Sequence, residues 1–266
     1  MVRMFVIALS LILTGCVKSG MGLEEYVDAP EVVTRKRFNE LVAIPGVDGQ
    51  KIPIAVYKFN DLTGQRKPND KFASLSSAVT QGSEVFLIKA LQDAGKGDWF
   101  QVVERVSLEN LVKERQLIRS QRELYEGKDA KPLTPLIVAG IMIDGGIVGY
   151  DSNIITGGIG ARMLGIGASQ EYRKDEVTVV LRLVSVNTGE ILLSTGASKT
   201  VLSTGAGANV FKFVDAGTRA LEFESGVSIN EPTTYAVRIA IEAAVVDMIK
   251  EGQKRGLWKA KNEKGK

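Results

Sequence analysis

Histidine is absent from this chain and cysteine occurs once, at Cys16. The first absence excludes His-based triads, imidazole general bases and histidine metal sites, and a lone cysteine excludes thiolate clusters and any internal disulfide. No uninterrupted apolar run reaches the roughly 18 residues of a spanning helix, which excludes a helical membrane span and leaves the membrane itself open. Charge of one sign is also missing. Without Arg3, which falls in the signal-like start, 33 basic residues face 31 acidic ones, a balance that gives no reason to expect a nucleic-acid partner.

What is present is the composition of an ordinary folded protein, 44% apolar and 24% charged over 266 residues, enough for one large domain or two small ones. The chain begins MVRMFVIALSLILTGC, one arginine followed by an apolar run from Met4 to Leu13. That run is too short to span a bilayer and has the form of a secretory signal. Its end, Leu13-Thr14-Gly15-Cys16, resembles the bacterial lipoprotein box, in which cleavage leaves a lipidated cysteine at the new N-terminus. The resemblance implies a signal peptide over 1–15 and a covalent lipid on Cys16. Val17 stands where aspartate marks lipoproteins kept in the inner membrane, so the implied address is the outer membrane.

A Gly/Ser/Lys stretch to about Gly22 reads as a tether, and 23–50 as a polar segment wrapping the domain. KIPIAVYKF, 51–59, reads as a strand that ends in the turn-rich NDLTGQRKPND. Residues 76–92 space Val79, Val85, Ile88 and Leu91 as on a helix. A short strand at Trp99–Val103 precedes a helix capped by Ser107, with Leu108, Leu111 and Val112 on one face and a solvated charged face. LIVAGIMIDGGIVGY, 136–150, reads as two strands about an Asp144-Gly145 turn. Glu176–Val186 alternates Val177, Val179, Leu181 and Leu183 with polar neighbours, turning at Asn187-Thr188-Gly189. Pro232–Lys254 is amphipathic, with Val237, Ile241, Ala244, Val245 and Met248 at helical spacing. Strands and helices in this order predict an α/β or α+β domain of periplasmic type.

Two stretches stand apart from that domain. TGGIGARMLGIGA, 156–168, carries many glycines, yet Met163 takes the place of the third glycine after Gly158-x-Gly160. Ile166 and Gly167 likewise stand where a Walker loop needs Lys and Ser/Thr, so a nucleotide-dependent enzyme is disfavoured. The second stretch, 198–226, sets Leu202, Thr204, Ala206, Ala208 and Val210 against Ser203, Gly205, Gly207 and Asn209. Each stretch is long enough for a hairpin of two membrane strands of about 9–11 residues. Two soluble surface loops are the alternative.

The chain resembles the curli secretion channel family (CsgG). The resemblance rests on the Leu13–Cys16 box, Val56-Tyr57 with Asp61-x-Thr63-Gly64-Gln65-x-Lys67-Pro68, and Gly158-Ile159-Gly160-Ala161-Arg162 with Gly165-Ile166-Gly167-Ala168. Thr188–Leu192, Ser198-Lys199-Thr200, Asn230-Glu231-Pro232 and Gly256-Leu257-Trp258 complete it. It implies a non-enzymatic outer-membrane lipoprotein that assembles as a ring of nine, each subunit lending two transmembrane β-hairpins to one shared barrel. The expected division is therefore tether 16–50, periplasmic α/β domain 51–152, hairpin 153–173, periplasmic β-hairpin 174–197, hairpin 198–226 and C-terminal helix segment 227–266. The ring exports unfolded curli-type fibre subunits by diffusion, without ATP. Its implied partners are a periplasmic cap protein and a surface nucleator, with no cofactor beyond the lipid.

In this family the loop after the first strand narrows the pore with an aromatic residue, an asparagine and a phenylalanine. Here the loop, about 60–78, departs from the pattern. Asn69 falls where the aromatic would be, and counting back from Ala78-Val79 puts Ser74 and Leu75 at the Asn-Phe pair. Phe72 is the one aromatic in the loop and can replace either. The expected constriction residues are Asn69, Phe72, Ser74 and Leu75. The rival reading is an outer-membrane-anchored periplasmic lipoprotein that binds peptidoglycan or acts as an assembly factor.

Overall fold

Strict alternation from Asp175 to Leu183 buries every second side chain, Val177, Val179, Leu181 and Leu183 all being fully buried. The chain therefore needs a layer to cover one face of a sheet. The computed structural model, which describes residues 39–66, 77–157, 170–206, 210–215 and 232–261, supplies it in a mixed α/β arrangement. In chain order the elements are α1 (Asn39–Ala43), β1 (Ile52–Val56), β2 (Asn60–Asp61), α2 (Ser83–Asp93), β3 (Phe100–Glu104) and α3 (Leu108–Glu126). They continue with β4 (Ile141–Gly157), β5 (Gln170–Ser185), β6 (Ile191–Ala206), β7 (Val210–Asp215) and α4 (Pro232–Lys254). One sheet runs in the order β3-β1-β4-β5-β6-β7, with β2 beside β4. Its first half is parallel and its second antiparallel.

Helix α4 has the boundaries its amphipathic pattern predicts, with proline at its first position, where a missing N–H costs nothing. Val237, Ile241, Ala244, Val245 and Met248 are all fully buried, and α4 packs on β5, β6 and α2. Each such aliphatic side chain contributes about 1.5–3 kcal/mol by leaving water. Trp99 and Trp258 meet edge to face at 6.0 Å. Their indole N–H groups donate to Pro45 O at 2.8 Å and Ile249 O at 2.9 Å, so the Gly256-Leu257-Trp258 segment closes the core. Gly252 makes room for it, since a Cβ there would stand 2.2 Å from the Trp258 ring.

Several sequence expectations need correction. Asp144-Gly145 is no turn, because β4 runs through it as a single strand paired with β5 from Ile141↔Ser185 to Gly157↔Gln170. The glycines serve close approach instead: a Cβ on Gly145 would meet Val180 O at 2.1 Å, and one on Gly146 would meet Asn60 O at 2.5 Å. The helix expected from 76 begins at Ser83, with bends before it. Its inner face is Leu87, Ala90 and Leu91, and Val85 is 62% exposed. Finally, the polar segment before Lys51 contains α1, whose Leu41 is fully buried.

The short strand and the charged helix after it lie where expected, at β3 and α3, but no residue of α3 is buried. Ser107 makes no side-chain cap; its backbone N–H is taken by the Glu104 carboxylate at 2.6 Å. Arg115 and Arg122 of α3 donate to the carbonyls of Thr134 and Lys131 at 2.7 and 3.0 Å, tying the return segment to the helix.

Candidate functional site

Cys16, Asn69, Phe72, Ser74 and Leu75 all lie outside the described residues, as does TGGIGARMLGIGA beyond Gly157. What the structure describes is how the chain approaches and leaves residues 67–76 and the strands on either side of the glycine-rich stretch. The legs on either side of residues 67–76 are cross-tied at three levels. At the base, Ser83 Oγ, fully buried, donates to Phe59 O at 2.7 Å. One level out, Gln81 Nε2 donates to Asp61 Oδ2 at 3.2 Å and to Val79 O at 3.0 Å. At the top, Ala78 N donates to Gln65 O at 2.9 Å, and Arg66 and Ser77 form an antiparallel bridge.

Asp61 is the hub of the middle level. Its Oδ1 accepts from Thr63 N at 2.9 Å and Thr63 Oγ1 at 2.7 Å, and Thr63 Oγ1 in turn accepts from Gln65 N at 3.2 Å. Its backbone belongs to the sheet, paired with Ile147, and Leu62 N donates to Ile147 O at 2.9 Å. A carboxylate accepting several N–H and O–H bonds is a stronger fixture than a neutral amide would be. The Asp61-x-Thr63-Gly64-Gln65 motif thus has a local meaning: aspartate and threonine each fold back on the chain two residues later, and Gly64 takes φ +65°.

The second group of strands is long. β4, β5 and β6 have 17, 16 and 16 residues and cross positions 152/153, 173/174 and 197/198 without a break. β6 and β7 pair from Val201↔Asp215 to Ala206↔Val210. Among the described residues β4 has no outer partner beyond Ile147, where β2 ends, and β7 has none on its outer edge. Among the described residues, then, this part of the sheet is flanked by two unpaired edges. The face turned away from α4 carries polar pairs: Arg182 pairs with Asp144, the hydroxyls of Thr178 and Ser198 lie 2.7 Å apart, and Lys174 meets Glu176 at 3.0 Å.

Where the core ends and the strands continue, the inward positions turn from apolar to polar. Asp175 is fully buried and Lys199 nearly so. Val177 opposes Lys199 and Val201 opposes Asp175, so the two charges are diagonal neighbours. Tyr150 OH donates to Asp175 Oδ1 at 3.2 Å and also bonds Thr233 in the first turn of α4. Burial and the adjacent Asp175 charge push the Tyr150 phenol above its ordinary value. The sequence signal for this cluster was available, since Asp175 shares the parity of Val177 to Leu183. Among the described residues no group of three or more carboxylates, cysteines or histidines could hold a metal.

The profile of "Curli production assembly/transport component CsgG" matches residues 37–266. The proteins of that name from Escherichia coli K12 and Salmonella typhimurium LT2 are each 39% identical over 266 residues, covering 99% of this chain and 93% of theirs. The same name and identity hold for a relative from Citrobacter koseri. Among solved structures, a PelC dodecamer from Paraburkholderia phytofirmans covers 76% of this chain and 92% of its own at 13% identity. Its TM-score is 0.30, too loose a likeness to carry an argument. With a family profile spanning all but the first 36 residues, the chain belongs to the curli production assembly/transport component CsgG family.

Proposed function

We propose that this protein is the subunit of an outer-membrane secretion channel that passes unfolded curli-type fibre subunits from the periplasm to the cell surface. The observation that carries the reading is the antiparallel ladder β4-β5-β6-β7, whose long strands continue past the α4-covered core with, among the described residues, an unpaired edge on either side. A backbone edge cannot remain open in lipid, so strands that enter the membrane must pair with those of neighbouring copies. Residues 153–173 and 198–226 are the two hairpins that each subunit lends to a shared barrel, and a ring of nine closes it. Cys16 carries the lipid that anchors each subunit beside the barrel, and 16–50 tethers the periplasmic domain.

Residues 69–75 narrow the pore, with Phe72 or Leu75 at the tightest ring and Asn69 and Ser74 in the adjoining polar layer. Transport is diffusive, because ATP is not available at that membrane, and a periplasmic cap protein and a surface nucleator bias its direction. Electron microscopy of detergent-extracted outer membranes tests the reading. Rings of this protein with a central pore support it, and monomers released into the soluble fraction would replace it with a periplasmic binding or assembly factor.

A further inference from the structure

The geometry points to Asp61 and Gln81 as positioning residues for the aperture, a role that rests on the reading of residues 67–76 as the constriction. The base rung, Ser83 to Phe59, is buried and belongs to the core. Among the described residues the upper rung shows one backbone hydrogen bond and an isolated bridge. Between them, among the described residues, the tie is made by side chains: Asp61, rooted in the sheet through Ile147, holds the outgoing leg through Thr63 and the returning leg through Gln81.

Gln81 is exposed, and its amide is spent on Asp61 and on Val79 O. An exposed glutamine so placed adds little to global stability, yet it fixes the separation of the two legs. In a ring, an error in that separation is repeated at every copy, so a small splay at Asp61 alters the whole aperture. Asp61 and Gln81 touch no passing chain; they act through the legs they hold.

Single-channel recording of the assembled lipoprotein in planar bilayers tests this. Gln81→Ala and Asp61→Asn should assemble and melt as the wild type does, but lose its single open-channel level and show several. Cross-strand bridge partners lie within disulfide reach, so adding Arg66→Cys with Ser77→Cys to Gln81→Ala should restore one level on oxidation and lose it on reduction. A third variant replaces 67–76 by a short Gly/Ser link. If that link leaves conductance unchanged, the constriction reading itself falls. If the link widens the pore while Gln81→Ala and Asp61→Asn keep the wild-type level, or oxidation fails to restore it, the positioning role is overturned and the constriction stands.

Discussion

Tyr150 on β4 donates its phenolic hydrogen to the buried carboxylate of Asp175 on β5, 3.2 Å away, and its hydroxyl also bonds Thr233 at the start of α4. The pair joins three elements at the level where the apolar core gives way to the strand ends. A buried carboxylate without such partners would be strongly destabilising.

This pair predicts a pH dependence on the alkaline side. The folded state holds the Tyr150 proton more tightly than the unfolded chain, whose phenol titrates near its ordinary value of 10.0. The stabilisation is therefore complete below that pH and is lost as pH rises through the higher folded value. Tyr150→Phe should cost about 1–3 kcal/mol at pH 8, by stripping partners from buried polar groups. Denaturant melts of both proteins at pH 8 and pH 11 should show the gap shrinking; a constant gap would remove Tyr150 from the cluster.

Gly145 should tolerate no side chain. An alanine there combines a contact of 2.1 Å with Val180 O and φ +151°, and overpacking with backbone strain amounts to about 2–4 kcal/mol. Gly82→Ala, with nothing within 4 Å, is the control and should melt close to wild type.

Lipidation should depend on Cys16 alone. Labelled palmitate should enter the wild type and not Cys16→Ala, and the variant should leave the outer-membrane fraction. Equal labelling of the two would end both the anchor and the address.

Val210 begins β7 opposite Ala206, within the second proposed hairpin. Val210→Arg should cost about 2–4 kcal/mol if the site faces lipid near the midplane, read as loss of heat-resistant rings on gels. Protease added from the periplasmic side should spare 153–173 and 198–226 in assembled protein; cleavage there would make them soluble loops.

Phe72→Ala should raise single-channel conductance if Phe72 forms the narrowest ring, and Leu75→Ala should do so if Leu75 does, because a ring constriction changes at every copy together. Joint truncation of Asn69, Phe72, Ser74 and Leu75 without effect would place the constriction elsewhere.

Local pattern was enough wherever one element's own periodicity decides its structure. Helix α4 begins at its proline and runs as far as its apolar stripe predicts, and β5 shows the alternation of Val177 to Leu183. The turn at Asn187-Thr188-Gly189 follows from a glycine at φ +73°. Family membership was legible too, because its motifs are spread in order along the chain. Tertiary structure decided what depends on a neighbour distant in sequence. Asp144-Gly145 has the composition of a turn, but Val180 presses against Gly145 and Asn60 against Gly146, and both need glycine in a continuous strand. Val85 has helical spacing but points outward, because α2 turns Leu87, Ala90 and Leu91 to the core it shares with α4. Asp61 and Gln81 are twenty residues apart and meet only once β2 has paired with β4 and α2 has docked beside it. A contact of that kind has no periodicity to announce it, since its energy is gained only after both segments are already in place.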